Sequence, residues 1–181
     1  SGYHAGMLLI RKRKRVAMLR SLKVWMLVSL TVAIVVSSTA RTHAAEAKSS
    51  LGQPIAGFSL EDYRGKTWSL ADFKESKAIV VAFVGTECPL VANYAARMQK
   101  LADQYKAAGV TFIAIDSNQQ DSLTELGHFA RTHKIEFPVL KDAGNKVADQ
   151  FEATRTPEVF LLDQDRKVVY QGRIDDQFTY G

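Results

Sequence analysis

The feature that most constrains this chain is an abrupt change of periodicity around one short turn. Residues 79–84, IVVAFV, are an apolar, largely β-branched run of the kind that fills a strand buried on both faces of a sheet. From Asn93 the pattern becomes helical, with Tyr94, Arg97, Met98, Leu101 and Tyr105 recurring on one side. Between the two lies Gly85-Thr86-Glu87-Cys88-Pro89, which contains the only cysteine of the 181 residues. Pro89 suits the first position of a helix, where its fixed φ is already helical and its missing N–H would have had no partner. Cys88 is therefore expected at the mouth of a helix. There the unpaired amides and the positive end of the dipole favour a thiolate, which makes the sulfur a nucleophile near neutral pH. The competing reading is a small buried hydrophobe, which is what a lone cysteine usually is.

Charge matters only once it is divided along the chain. The formal net charge is +5, which on its own invites a nucleic-acid partner. Eight of the 24 basic residues lie before position 48, however, against one of the 19 acids, Glu46. The remainder carries 16 basic and 18 acidic residues, a net charge of −2, so no nucleic-acid partner is expected.

The basic segment opens a three-part leader. Residues 11–23 hold seven Lys and Arg, residues 24–38 are an uncharged apolar run, and Ala45-Glu46-Ala47 fits an A-x-A cleavage site. The apolar run of fifteen residues falls short of the roughly 20 that span a bilayer as a helix, so cleavage is the expectation. The alternative is an uncleaved signal anchor, the one way in which a membrane would become a partner. Either way the domain is expected outside the cytoplasm, periplasmic in a bacterium. Ser1 to Gly6 precede the first methionine and belong to neither part. The expected organisation is an N-terminal extension and signal peptide over 1–47, a polar linker over 48–53 and a folded domain over 54–181.

Within that domain, residues 58–60 and 66–70 read as a hairpin around Asp62-Tyr63-Arg64-Gly65, and 71–75 as one helical turn. A helix over 89–107 is closed by Gly109, and 110–116 is a second buried strand. Leu123, Leu126, Phe129 and Ala130 predict a helix over 121–133 with Asp121 as its N-cap. Residues 137–140 form a short extended segment, 145–151 a short helix, and 158–162 and 167–170 a closing hairpin over residues 163–166. Strands alternating with helices indicate an α/β domain with partly parallel strands.

This order of elements, the cysteine at a strand-to-helix turn, and Arg155-Thr156-Pro157 opening the last hairpin resemble the thioredoxin superfamily. The resemblance is closest to its redoxin branch, the alkyl hydroperoxide reductase and thiol-specific antioxidant (AhpC/TSA) group, and to exported bacterial thioredoxin-like proteins. It implies a central mixed sheet flanked by helices with an N-terminal β-hairpin. It also implies that the closing C-terminal helix of that fold is missing before Gly181, which would leave an apolar strip exposed near 159–170. By the same resemblance Pro157 is a cis-proline beside the active cysteine, and Thr156 offers backbone groups to a substrate. From residues alone, an ordinary trans proline at an edge strand is the alternative.

The departures from the family's patterns narrow the chemistry. In thioredoxins the cysteine begins a C-x-x-C motif, whereas here Cys88-Pro89-Leu90-Val91 puts valine at the resolving position, and Glu87 and Ala82 replace the preceding tryptophan and the buried acid. Peroxiredoxins carry P-x-x-x-T-x-x-C, whose first two marked positions are Val81 and Gly85, while Pro157 falls where many carry an arginine; Thr86 and Arg155 are each displaced from the expected place. Copper delivery in that superfamily needs a second cysteine, which falls on Ala92. No cofactor or metal is expected. His128 and His133 diverge around their helix, Asp175-Asp176 read as solvated, and Tyr63 and Trp68 as rim and core of the first hairpin. The expected activity is thiol oxidoreduction, with Cys88 attacking a peroxide or a partner disulfide, Thr86, Thr156 and Pro157 facing the substrate, and an external thiol resolving the product. The alternative is a redox-silent thioredoxin-like module that binds a partner or supports a neighbouring domain.

Overall fold

The computed structural model describes residues 49–175. The leader and its cleavage site lie outside the described residues, as do residues 176–181. Among the described residues no helix is long and apolar enough to cross a membrane.

The buried run forms β3 (Ala78–Val84), an interior strand of a seven-stranded sheet whose other strands are β1 (Ser59–Asp62), β2 (Thr67–Ser69), β4 (Val110–Asp116), β5 (Val139–Lys141), β6 (Glu158–Leu162) and β7 (Val168–Gly172). Their spatial order is β2-β1-β5-β4-β3-β6-β7. β3, β4 and β5 run parallel, and the outer pairs are antiparallel. The parallel connections use α1 (Pro89–Lys106) and α2 (Leu123–Thr132), and α3 (Lys146–Phe151) precedes β6. This is the expected thioredoxin-like α/β architecture, a mixed sheet flanked by helices with an N-terminal hairpin.

Alternation along β3 explains why both its faces are apolar. Ile79, Val81 and Phe83 point into one cluster with Ile113, Ile115, Phe151 and Phe160. Ala82 and Val84 point into the other, against Val91, Ala95 and Met98 of α1 and Leu126, Phe129 and Ala130 of α2. Small residues on the second face let the helices approach, and each large side chain sealed this way contributes about 1.5–3 kcal/mol. The paired positions Ala82 with Ala114 and Val84 with Asp116 fix the register of β3 on β4, so the two strands end side by side at the Cys88 turn and at Asp116.

Several local expectations are corrected. Asp121 does not cap α2. The helix begins two residues later, with Ser122 as N-cap in a capping box with Glu125, while Asp121 turns inward and is 3% exposed. The segment expected at 137–140 pairs only from Val139, because Pro138 has no amide for a ladder. The helix expected from Asn145 starts at Lys146; Asn145 itself is left-handed, and Asp142 satisfies the first free amides, accepting from Val147 and Ala148 at 3.0 Å each. The helical turn expected at 71–75 is a 3-10 turn over Leu70–Phe73.

Residues 49–53, read as linker, lie against the domain. Ser50 Oγ donates to the Phe151 carbonyl at 2.7 Å, the Gly52 amide donates to Val168 O, and the Val168 amide donates to Gln53 O. At the closing hairpin Phe160, Leu162 and Val168 are sealed, whereas Val169 and Tyr170 are exposed.

Candidate active site

Cys88 is the N-cap residue of α1, with Pro89 at its first position. A turn closed by the Cys88 amide donating to Gly85 O at 3.2 Å carries the chain from β3 into the helix, and Cys88 O accepts from the Ala92 amide. The sulfur is half-buried and lies 3.5 Å from the carbonyl oxygen of Thr156, toward which the thiol donates. The Thr156–Pro157 peptide bond is cis. Two sequence features 68 residues apart, Cys88 and Thr156-Pro157, thus meet across the ends of β3 and β6. Glu87, the acid next in sequence, is exposed to water.

A groove of about 260 Å³ opens beside the cis peptide, lined by Leu90, Tyr94, Arg155, Pro157, Ile174 and Asp175 among others. Its floor is mainly apolar, and Arg155 and Arg173 stand at its rim. Asp175 was expected to be solvated; instead Tyr94 Oη donates to it at 2.9 Å and Arg97 pairs with it, tying the chain after β7 onto α1. Its neighbour Asp176 lies outside the described residues.

Thr86 is placed differently from Thr156 and Pro157. Its amide donates to Asp121 Oδ2 at 2.9 Å, and Asn118 Nδ2 donates to the same oxygen at 3.1 Å. Asp121 in turn adjoins Asp116, which is wholly buried at the end of β4 and receives Lys141 Nζ at 2.7 Å. Burial pushes the Asp116 carboxyl up to about 7, helped by the adjacent Asp121 and opposed by Lys141. Burial also acts to raise Asp121, but the neighbouring Asp116 carboxyl and the hydrogen bonds from Thr86 and Asn118 outweigh it and hold that carboxyl well below the usual range. Sequence reading missed this cluster. Its signal was present in Asp116-Ser117-Asn118 at the end of a buried strand, where a charged residue needs partners.

Gly85 shows why the turn departs from the peroxiredoxin pattern. A Cβ there would lie 2.2 Å from Asn118 Nδ2, so the space that a threonine would need is filled by the side chain that bonds Asp121. Val91, in the resolving position, is a fully buried residue of α1, packed in the cluster with Ala82 and Val84 of β3. His128 is exposed and His133 leans on the Phe129 ring. Trp68 stacks on Phe73 and donates to Asp62, and the Tyr63 ring packs close over Gly127 of α2.

Comparison with known proteins agrees with this geometry. The AhpC/TSA family profile matches residues 51–171. A thiol-disulfide oxidoreductase, ResA, of Bacillus thuringiensis subsp. konkukian is 31% identical over 126 residues, covering 70% of this chain and 71% of that protein. Chloroplastic peroxiredoxin Q of Populus jackii is 30% identical over 139 residues, covering 73% and 63%. Among solved structures, a hypothetical protein of Sinorhizobium meliloti 1021 superposes with a TM-score of 0.66 at 37% identity, covering 70% of this chain and 72% of its own.

Proposed function

We propose, from the premise that this chain belongs to the AhpC/TSA family, that it is an exported thiol oxidoreductase whose Cys88 exchanges with a partner disulfide. The observation that carries the reading is the Cys88 sulfur at a helix mouth, 3.5 Å from the carbonyl of a cis Thr156–Pro157 peptide, with a groove alongside. Thr156 both lines the groove and receives the Cys88 thiol, so a disulfide laid along the groove would be brought up to the sulfur across that residue. The Cys88 thiolate attacks that sulfur, the partner's S–S bond breaks, and the departing thiolate takes up a proton. A mixed disulfide on Cys88 remains; an external thiolate attacks the partner's sulfur in it, forms a new S–S bond there, and the bond to Cys88 breaks to free its thiolate. Thr156 and Pro157 form the wall along which the substrate lies, and Thr86, whose amide is held by Asp121, flanks the sulfur in the turn.

Disulfide is favoured over peroxide by Gly85, whose missing side chain leaves no hydroxyl to polarise a peroxide oxygen at the family's usual position. The relatives named as thiol-disulfide oxidoreductases support the same substrate class. The competing reading is a redox-silent binding module, supported by Val91 where a resolving thiol would stand. Mass analysis after challenge with a small disulfide or with peroxide, using Cys88→Ser as the blank, separates them. A disulfide adduct on Cys88 is expected; a folded protein that acquires neither adduct nor oxygen favours the silent module.

Export rests on the basic leader, the apolar run and the A-x-A site. N-terminal sequencing of the protein from its native host is expected to begin within residues 45–48. A cytoplasmic product retaining residues 11–23 would exclude export.

A further inference from the structure

The exchange chemistry leaves several buried carboxyls unused, and Asp116 is the most deeply buried of them. Asp116 lies at the end of β4 with one oxygen well provided for: Oδ1 accepts from Lys141 Nζ and from the Asn118 amide at 3.1 Å. Its other oxygen, Oδ2, is buried and receives no donor. Asn118 bridges this carboxyl to that of Asp121, its backbone amide donating to Asp116 Oδ1 and its Nδ2 to Asp121 Oδ2 at 3.1 Å each. Two ionised carboxylates can only accept, so nothing would hold them together, whereas a proton on Asp116 supplies the missing donor and satisfies the orphaned oxygen.

We propose that Asp116 carries a proton which it donates to Asp121, and that this carboxyl pair is the positioning element of the Cys88 turn. The link to the sulfur is short. Asp121 Oδ2 holds the Thr86 amide and the Asn118 side chain, and the next turn residues place the Cys88 amide on Gly85 O. Loss of the proton sets two negative charges against each other in a dry site. Asp121 is the movable member, being on a loop while Asp116 is on a central strand. It would withdraw from Asp116, loosening its hold on Thr86 and on the presentation of Cys88.

The opposite displacements of the two carboxyls from their ordinary values agree with one proton shared in that direction. Other charges facing the pair are few. Lys141 of β5 is the one cation on Asp116 and also donates to Asn118 O. Asp142 approaches through Ser117, whose hydroxyl it accepts at 3.0 Å, and Glu125 in the first turn of α2 faces Asp121. β3 contributes Val84 beside Asp116 and no charge.

The test is a pH titration of the full chain by NMR, following the Asp116 carboxyl carbon and the Thr86 amide, with Asp116→Asn and Lys141→Gln beside the native protein. The Asp116 carbon is expected to titrate with a midpoint of about 7. The Thr86 amide should step at the same midpoint. Asp116→Asn, whose amide can donate permanently to Asp121, should abolish the Thr86 step. Lys141→Gln should move both midpoints upward together, since the cation that favours ionisation is gone. A Thr86 amide that stays flat, an Asp116 carbon that titrates in the ordinary carboxylate range, or a Thr86 step surviving in Asp116→Asn would each overturn the proposal. Should Asp116→Asn not fold, coincidence of the two native midpoints decides alone. The readout is the amide, so a chain unreactive toward every disulfide would end the redox reading and leave this one standing.

Discussion

Asn118 stands where a side chain at Gly85 would have to go: a Cβ on Gly85 would lie 2.2 Å from its Nδ2, which is bonded to Asp121. What favours glycine is that close approach to the Asn118 side chain, since its φ is not among the positive values of the described residues. Gly85→Ala is expected to displace Asn118 and to destabilise the fold by about 1–3 kcal/mol, the usual cost of an overfilled site. Combining it with Asn118→Ala should recover part of that loss, because the clash disappears. Denaturant unfolding of the two single variants and the double variant measures the coupling, and strictly additive effects would count against the packing argument.

Val91 lies one helical turn beyond Cys88 and is fully buried. Val91→Cys is expected to shorten the life of the mixed disulfide on Cys88 by offering an internal thiol, at a stability cost of about 1 kcal/mol for the lost methyl contact. Quenched-flow trapping followed by mass analysis reads the lifetime. An unchanged lifetime would mean that the buried position gives a second sulfur no path to the first.

The stability profile against pH follows from Asp116. Its folded value, about 7, is above the unfolded value of 3.8, so between the two the folded protein keeps a proton that the unfolded chain has lost. That contribution is complete below the unfolded value and disappears as pH rises toward the folded one. The native protein is therefore expected to lose stability relative to Asp116→Asn over that window, with a limiting slope of about 1.4 kcal/mol per pH unit for one proton. Parallel profiles for the two proteins would refute it.

Arg155 and Arg173 at the groove rim have no carboxylate partner among the described residues. Disulfides carrying carboxylates should react with Cys88 faster than cationic ones of the same size. The preference should shrink as salt is added. Replacing both arginines with serine is expected to remove it, an effect of about 1 kcal/mol or less per exposed pair. Stopped-flow rates with the two reagents provide the comparison, and equal rates for both would exclude a role for the rim charge.

The backbone plan of this domain was largely legible in its residues, because periodicity reports burial and burial follows the sheet. Residues 79–84 and 110–116 announce central strands by having no polar alternation, and Pro89 marks where the helix must start. The meeting of Cys88 with Thr156-Pro157 came from resemblance, since nothing local in either segment names the other. The acid pair was invisible for a different reason. Asp121 next to a helical pattern has the composition of a cap, and only the packing of β4 against the turn shows that Ser122 takes that role while Asp121 faces Asp116. Asp175 was misread in the same way, because a polar residue near the end of a sequence gives no sign of the Tyr94 and Arg97 side chains that reach it.

The short stretch laid along β7 has a consequence for how molecules of this protein meet one another. An outermost strand offers free amides and carbonyls on which another chain can build, the usual start of runaway self-association. Gly52 and Gln53 occupy both backbone groups of Val168, and Pro54 bridges to Lys167 with a residue that has no amide to offer a newcomer. The register shift between Leu161 and Leu162 adds twist to the same margin. Trimming the chain to begin after Pro54 would uncover that margin, and the shortened protein should form larger species in a sedimentation experiment where the full chain does not.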